Sequence, residues 1–155
     1  VGGNVGVSIP GILNQFDSVR LSTQVRWDIA GAHDGMLIEP SIGYTTPMGR
    51  GMLIQVSASA QFVDDSFADY YYSISAGDSA ITGLPTFQAD GGLNSLGTTM
   101  ILNIDLDNNS LNGGFGVYVI GGYSRLVGDG ADTPFTAQRG DANQFIGGVG
   151  IGYTF

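Results

Sequence analysis

Phe145-Ile146-Gly147-Gly148-Val149-Gly150-Ile151-Gly152-Tyr153-Thr154-Phe155 is the stretch that decides the fold. Phe145, Val149, Ile151, Tyr153 and Phe155 fall on odd positions, and Ile146, Gly148, Gly150, Gly152 and Thr154 on even ones. A period of two is the side-chain period of a β-strand, so the stretch is a strand with one large, greasy face and one mostly tiny face. Such a strand suits lipid on one side and a crowded interior on the other.

Composition agrees with a hidden apolar face. Charged residues make up 12% of the 155-residue chain, about half the usual share of a soluble domain. All five basic residues are arginines: Arg20, Arg26, Arg50, Arg125 and Arg139. A water-facing exterior is hard to build from so little charge. Hydrophobic content is nevertheless only 43%, and no apolar run reaches the roughly 18 residues of a helical membrane span. The 26 glycines, with frequent Ser, Asn and Thr, argue against helices and for strands and turns. The net charge of −9, with nothing basic clustered, excludes nucleic acid as a partner. Absence of cysteine removes disulfides, thiol chemistry and Cys-based zinc sites. Val1-Gly2-Gly3-Asn4 has neither a basic nor an apolar signal segment, so a secretion signal is expected to be removed or to lie upstream.

Six upstream stretches repeat the alternation. Residues 17–29 carry Val19, Leu21, Thr23, Val25, Trp27 and Ile29 against Ser18, Arg20, Ser22, Gln24, Arg26 and Asp28, far longer than an average soluble strand. Residues 4–14 alternate more weakly. Residues 36–46 contain Pro40, where a bulge or a locally unpaired position is expected. Residues 51–63, 93–106 and 111–123 complete the set. Read backward from the final strand, the connections are 127–140 (long), 107–110 (short), 64–91 (long), 47–49 (short), 31–35 (intermediate) and 14–16 (short). Outer-membrane barrels alternate short periplasmic turns with longer extracellular loops in this way. The expected fold is therefore an all-β, antiparallel transmembrane β-barrel in one domain, residues 1–155. Trp27, Phe62, Tyr123 and Phe145 form its outer aromatic girdle, and Phe16, Tyr44, Phe115, Tyr153 and Phe155 the inner one. Seven strands are an odd number, so the chain is expected to be the C-terminal part of a larger barrel, unless the Tyr70 region adds an eighth. Gly150, Gly152, Tyr153 and Phe155 have the form of the terminal signal read by the barrel-assembly machinery.

Four ordered motifs carry a family resemblance. They are Tyr70-Tyr71-Tyr72-Ser73-Ile74-Ser75; Thr82-Gly83-Leu84-Pro85-Thr86-Phe87-Gln88-Ala89-Asp90-Gly91-Gly92-Leu93; Tyr123-Ser124-Arg125-Leu126-Val127-Gly128-Asp129-Gly130-Ala131-Asp132-Thr133-Pro134; and Asn143-Gln144-Phe145 with the closing Gly150 to Phe155. From about residue 20 onward the chain resembles the MipA/OmpV family of outer-membrane proteins. The resemblance implies a barrel in the outer membrane of a Gram-negative bacterium, in contact with membrane lipid and lipopolysaccharide. One member of that family is described as a scaffold linking a lytic transglycosylase to a peptidoglycan synthase, and others as porin-like, adhesive or stress-responsive. Members are normally longer at the N-terminus by several strands.

Candidate sites are few. Gly147 to Gly152 looks like a dinucleotide fingerprint but is followed by no helix, so it is read as lumen-facing small residues. His33, the one histidine, is read as a solvated turn residue; with no cysteine, neither a transition-metal site nor a catalytic triad can be assembled on it. Asp64-Asp65 and Asp129 with Asp132 offer oxygen ligands without the spacing of a calcium loop, and are read as solvated loop acids. Tyr70, Tyr71 and Tyr72 are read as packing a folded loop over or into the barrel mouth, in preference to stacking on a sugar or a partner; with Gly83, Leu84 and Pro85 they form the loop motif of the family resemblance. Arg20, Arg26 and Glu39 face the lumen; if the hairpin around residue 32 pairs symmetrically, Arg26 opposes Glu39, giving a charge-paired plug in preference to an ion-selecting constriction. No cofactor is implied. The leading functional expectation is a non-enzymatic envelope scaffold whose partners include cell-wall enzymes; a passive diffusion pore is the alternative, and a soluble lipocalin-like barrel is disfavoured by the scarcity of charge.

Overall fold

The computed structural model describes residues 1–108 and 113–154. Asn109, Ser110 and Leu111 of the expected turn and sixth strand lie outside the described residues, as does Phe155.

Seven antiparallel strands pair in chain order as one sheet: β1 (Gly2–Pro10), β2 (Ser18–Trp27), β3 (Met36–Pro47), β4 (Met52–Val63), β5 (Gly92–Asp105), β6 (Gly114–Leu126) and β7 (Asn143–Thr154). Among the described residues β7 does not pair with β1, so the sheet is an open, partial barrel. The alternation in the sequence sorts its faces. Val5, Val7 and Ile9 of β1 share a face with Leu21, Val19 and Trp27 of β2, and most of these large side chains are exposed. The other face is concave and polar. Ser18, Arg20, Ser22, Glu39, Ser41, Gly43, Ser57 and Ser59 line a trough of about 400 Å³ along it.

Pro40 leaves the ladder locally unpaired, one of the two expected outcomes. β3 pairs with β4 at Ile38↔Phe62 and again at Ser41↔Ser59, with Glu39 and Pro40 unpaired on that side and no shift in register. A proline without an N–H cannot donate, and the strands simply resume beyond it. The bulge lies elsewhere, at Asn94, where Gln61 pairs with Ser95 and Phe62 with Leu93. At the other end of the chain, β1 stops at Pro10 because Asp17 gathers the next residues into a turn. Its Oδ1 accepts the Ile12 amide at 2.7 Å, and its Oδ2 the Leu13 and Asn14 amides at 2.8 and 3.1 Å.

Two expectations are corrected. The Tyr70 region supplies no eighth strand: it is helix α1 (Asp65–Tyr72), started by Asp64, whose side chain accepts the Phe67 amide in a standard N-cap. It is followed by α2 (Ala76–Thr82), opened by a reciprocal Ser75/Asp78 capping box and ended by Gly83 at φ 72°, a left-handed position suited to glycine. Second, Arg26 does not face Glu39 across the β2–β3 hairpin. The pairing is Arg26↔Leu37 and Gln24↔Glu39, because the hairpin closes through residues 28–35 with Trp27 opposite Met36.

The buried apolar side chains lie away from the body of the sheet. Among the described residues they are Val63, at the end of β4, with Ala68, Ile74, Leu84 and Ala89 of the 64–91 connection. Burying an Ile or Leu such as Ile74 or Leu84 contributes roughly 1.5–3 kcal/mol each, so this connection is a small folded unit with its own core. It stands on the end of the sheet that also carries α3 (Asp129–Asp132) and a π-helical turn (Phe135–Arg139).

Candidate functional site

The two long connections form one cap. The Thr133 hydroxyl, fully buried, donates to the Tyr72 carbonyl at 2.7 Å. The Asp90 amide donates to Asp129 Oδ2 at 2.7 Å, and Arg139 Nη2 to the Thr82 carbonyl at 2.7 Å. Ile74 and Phe87 exchange backbone hydrogen bonds within the first connection. Gly91 lets the chain return close to the β4–α1 junction: a Cβ there would stand 2.6–2.7 Å from backbone atoms of Val63, Asp64 and Asp65.

The third connection at this end, residues 28–35, docks against α1. Asp28 accepts the amides of His33, Ala30, Ala32 and Asp34, which hold its carboxyl well below the usual range. His33 is therefore not the solvated turn residue that composition suggested. Its ring sits 5.4 Å from Phe67, 5.5 Å from Tyr70 and 5.4 Å from Tyr71, and its Nδ1 accepts the Gly35 amide. With Arg26, Leu37 and Gln61 below, the rings of His33, Phe67 and Tyr71 wall an open vestibule of about 470 Å³.

The remaining expected site residues fall in several places. Arg26 Nη2 meets Glu39 Oε2 at 3.0 Å, so the ion pair forms on the diagonal despite the different register. Arg20 lines the same trough lower down. Tyr70 and Tyr71 are half exposed beside His33, whereas Tyr72 turns inward, where burial raises its phenol pKa and the Asn94 side chain partly offsets that. Gly83 ends α2, Leu84 is buried in the cap core and Pro85 is exposed. Asp64 and Asp65 serve as the α1 cap and as acceptor for the Gly91 amide at 2.8 Å. Tyr153 packs on Phe115 at 4.9 Å and Tyr123 on Phe145 at 5.1 Å, so ring pairs mark both ends of the β6–β7 wall. Gly152 lies under the Tyr118 ring, and Gly150 borders open space. Among the described residues no group of three or more His, Cys, Asp or Glu side chains is placed to hold a metal ion.

Sequence reasoning missed Asn94, Thr133 and Asp17. Nothing marks the first two, since a bulge and a loop-to-loop hydroxyl contact have no periodic signature. Asp17 had a signal: an aspartate closing a Gly-to-Phe turn between two strands is well suited to gathering turn amides.

A curved antiparallel meander with an apolar convex face, a polar concave face and a folded cap at one end defines the wall of a β-barrel. The family model described as MltA-interacting protein MipA matches residues 1–155, and the chain belongs to that family. No curated protein and no solved structure matches it.

Proposed function

We propose that the chain forms part of the wall of an outer-membrane β-barrel that acts without catalysis, as a scaffold for cell-wall enzymes. The supporting observation is the inverted distribution of apolar side chains. Those on the body of the sheet, including Trp27, Ile42, Val56, Phe62 and Met100, stand exposed, while the buried ones collect at the cap. A soluble monomer rarely exposes so continuous an apolar surface, whereas lipid covers it in a barrel. Further strands of the same protein would pair with the open edges of β1 and β7. The barrel-assembly machinery would recognise β7, and lipopolysaccharide would surround the capped end.

The scaffold role is supported by family membership, since the family description names an interacting partner, and by the cap, a surface presented by two long connections joined by hydrogen bonds. The test is affinity purification of the full-length protein in mild detergent. Recovery of cell-wall enzymes supports the role, and their consistent absence, with the barrel intact, refutes it.

The polar trough supports a second reading, a passive diffusion channel. Planar-bilayer conductance of the full-length protein decides it, with Arg26→Ala as the comparison. A channel gives unitary steps whose ion selectivity changes in the variant; no steps in either protein remove this reading.

A further inference from the structure

The vestibule at the capped end joins two unlike surfaces. Its floor is the upper end of the concave face, where Arg26, Leu37 and Gln61 continue the rows that carry Arg20, Glu39 and Ser59 along the trough. Its wall is aromatic: Phe67 and Tyr71 of α1 pack on each other at 4.5 Å, with the His33 ring 5.4 Å from each. Asp64 ties wall to floor, because its Oδ1 accepts the Phe67 amide and its Oδ2 the Met36 amide, both at 2.9 Å. Gly35 lies so close to α1 that a Cβ there would stand 2.6 Å from the Phe67 nitrogen. The shape is therefore set before any ligand arrives, which lowers the cost of binding.

The polar groups of the vestibule have donors to spare. Gln61 Oε1 accepts from Asn94 Nδ2 at 2.8 Å, which fixes the amide and leaves Gln61 Nε2 with no acceptor among the described residues. Unlike Asn94 Oδ1, that nitrogen is not sealed from solvent. Arg26 makes one contact, from Nη2 to Glu39 Oε2 at 3.0 Å, and keeps its other N–H donors. Charge is balanced as well: Glu39 compensates Arg26, and the Asp28 carboxylate accepts four amides of its own connection. Neither an anion nor a cation is singled out.

We propose that the vestibule binds a neutral pyranose sugar, stacked on the half-exposed Tyr71 ring and hydrogen-bonded by Gln61 Nε2 and Arg26. The C–H bonds on one face of a pyranose carry slight positive charge and meet the negative face of an aromatic ring. Its hydroxyl oxygens accept from planar amide and guanidinium groups. The volume of about 470 Å³ lies within the range of small-ligand sites, about 300–1,000 Å³, which likewise combine aromatic walls with a few placed polar groups. The site requires neither the scaffold role nor an open pore.

The test is saturation-transfer NMR on the full-length protein, in a detergent without a sugar headgroup. The probes are glucose, galactose, mannose and N-acetylglucosamine, each as the free sugar and as its methyl glycoside. Saturable transfer to the C–H protons of at least one probe is expected. Free sugars represent a soluble solute and methyl glycosides the end of a glycan chain, so the tighter form identifies the source. Gln61→Glu keeps the oxygen that Asn94 Nδ2 needs and removes the donor, and Tyr71→Leu keeps apolar bulk against Phe67 and removes the ring. Each should weaken binding about 3- to 10-fold. Tyr70 is comparably exposed but is not on the vestibule lining, so Tyr70→Leu should bind as wild type. Absence of saturable transfer with every probe overturns the proposal. Equal affinity in wild type, Gln61→Glu and Tyr71→Leu would refute it too, as would an equal loss in Tyr70→Leu and Tyr71→Leu, which marks indiscriminate contact with exposed tyrosine.

Discussion

Replacing Thr133 by valine tests whether the two long connections are one cooperative cap. Thr133 is fully buried, and its hydroxyl makes a 2.7 Å bond to the carbonyl of Tyr72, 61 positions earlier. Valine keeps the shape and removes the donor, leaving a carbonyl on α1 without that partner. The cost of such a loss is about 1–3 kcal/mol. If the cap opens as a unit, this raises its open population about 5- to 160-fold. Hydrogen exchange of individual amides reads that directly. The informative amides lie on the other connection: Ile74, which donates to the Phe87 carbonyl, and Ala89, which donates to Ser73 Oγ. Both should accelerate by that factor in Thr133→Val, with Val56 and Leu102 in the middle of the sheet unchanged. Thr133→Ser, which retains the hydroxyl, should show a much smaller effect. Acceleration confined to residues 127–142 would mean that the connections open independently, and the single-cap description would fail.

Gly91→Ala should destabilise the cap by about 1–3 kcal/mol through overpacking, because its methyl would meet backbone of Val63, Asp64 and Asp65 at 2.6–2.7 Å; faster proteolysis within residues 64–91 would register it. Arg26→Ala should leave thermal stability nearly unchanged, by less than about 0.5 kcal/mol, since the Arg26–Glu39 pair is substantially exposed and exposed pairs contribute little; a large drop in melting temperature would contradict this. Burial alone would raise the Asp17 carboxyl, but bonds from the Tyr44 hydroxyl and the Leu13, Ile12 and Asn14 amides hold it below its ordinary value of 3.8. Its stabilisation of the β1–β2 turn is therefore complete above that ordinary value and is lost as pH falls through the lower folded value; the Ile12 and Leu13 amide resonances should move only in that acid range, and a transition near neutral pH would refute the assignment.

What was legible in the sequence follows from how each part meets its surroundings. Along β2 every other side chain faces the same medium for ten residues, so Val19 to Trp27 and Ser18 to Arg26 record the two faces without reference to any other part of the chain. The register of a hairpin depends instead on how its turn closes. Two positions of difference moved Arg26 from Glu39 to Leu37, while long side chains still reached across the diagonal. The cap was legible only as a break in the alternation. Asp64 and the Ser75/Asp78 box are helix starts that the local sequence carries, but the abundance of glycine elsewhere outweighed them. The contacts that join the connections involve Tyr72 with Thr133 and Asp90 with Asp129, pairs far apart in sequence whose residue types suit a solvated loop equally well.

The closing strand illustrates the same division on a smaller scale. Its small even positions suggested a crowded inner face, and the crowding proves to be specific to its ends. At one end the Tyr118 ring of β6 lies across Gly152, with Cε2 2.8 Å from where a Cβ would stand. Toward the other end the relation reverses, and Ile146 of β7 occupies the space over Gly122 of β6 at 2.7 Å. Between them Gly148 and Gly150 meet nothing within 4 Å. Large and small side chains thus exchange between the two strands at Tyr118/Gly152 and Ile146/Gly122, so the inner face of β6–β7 resists a slip in pairing: moving β7 by two positions along β6, which keeps every side chain on its own face, takes Gly152 from beneath the Tyr118 ring and Ile146 from above Gly122. The outer face is apolar from the Phe115/Tyr153 pair to the Tyr123/Phe145 pair and offers less such information there, so the glycines that look like simple filler in the sequence help to set the register of β7.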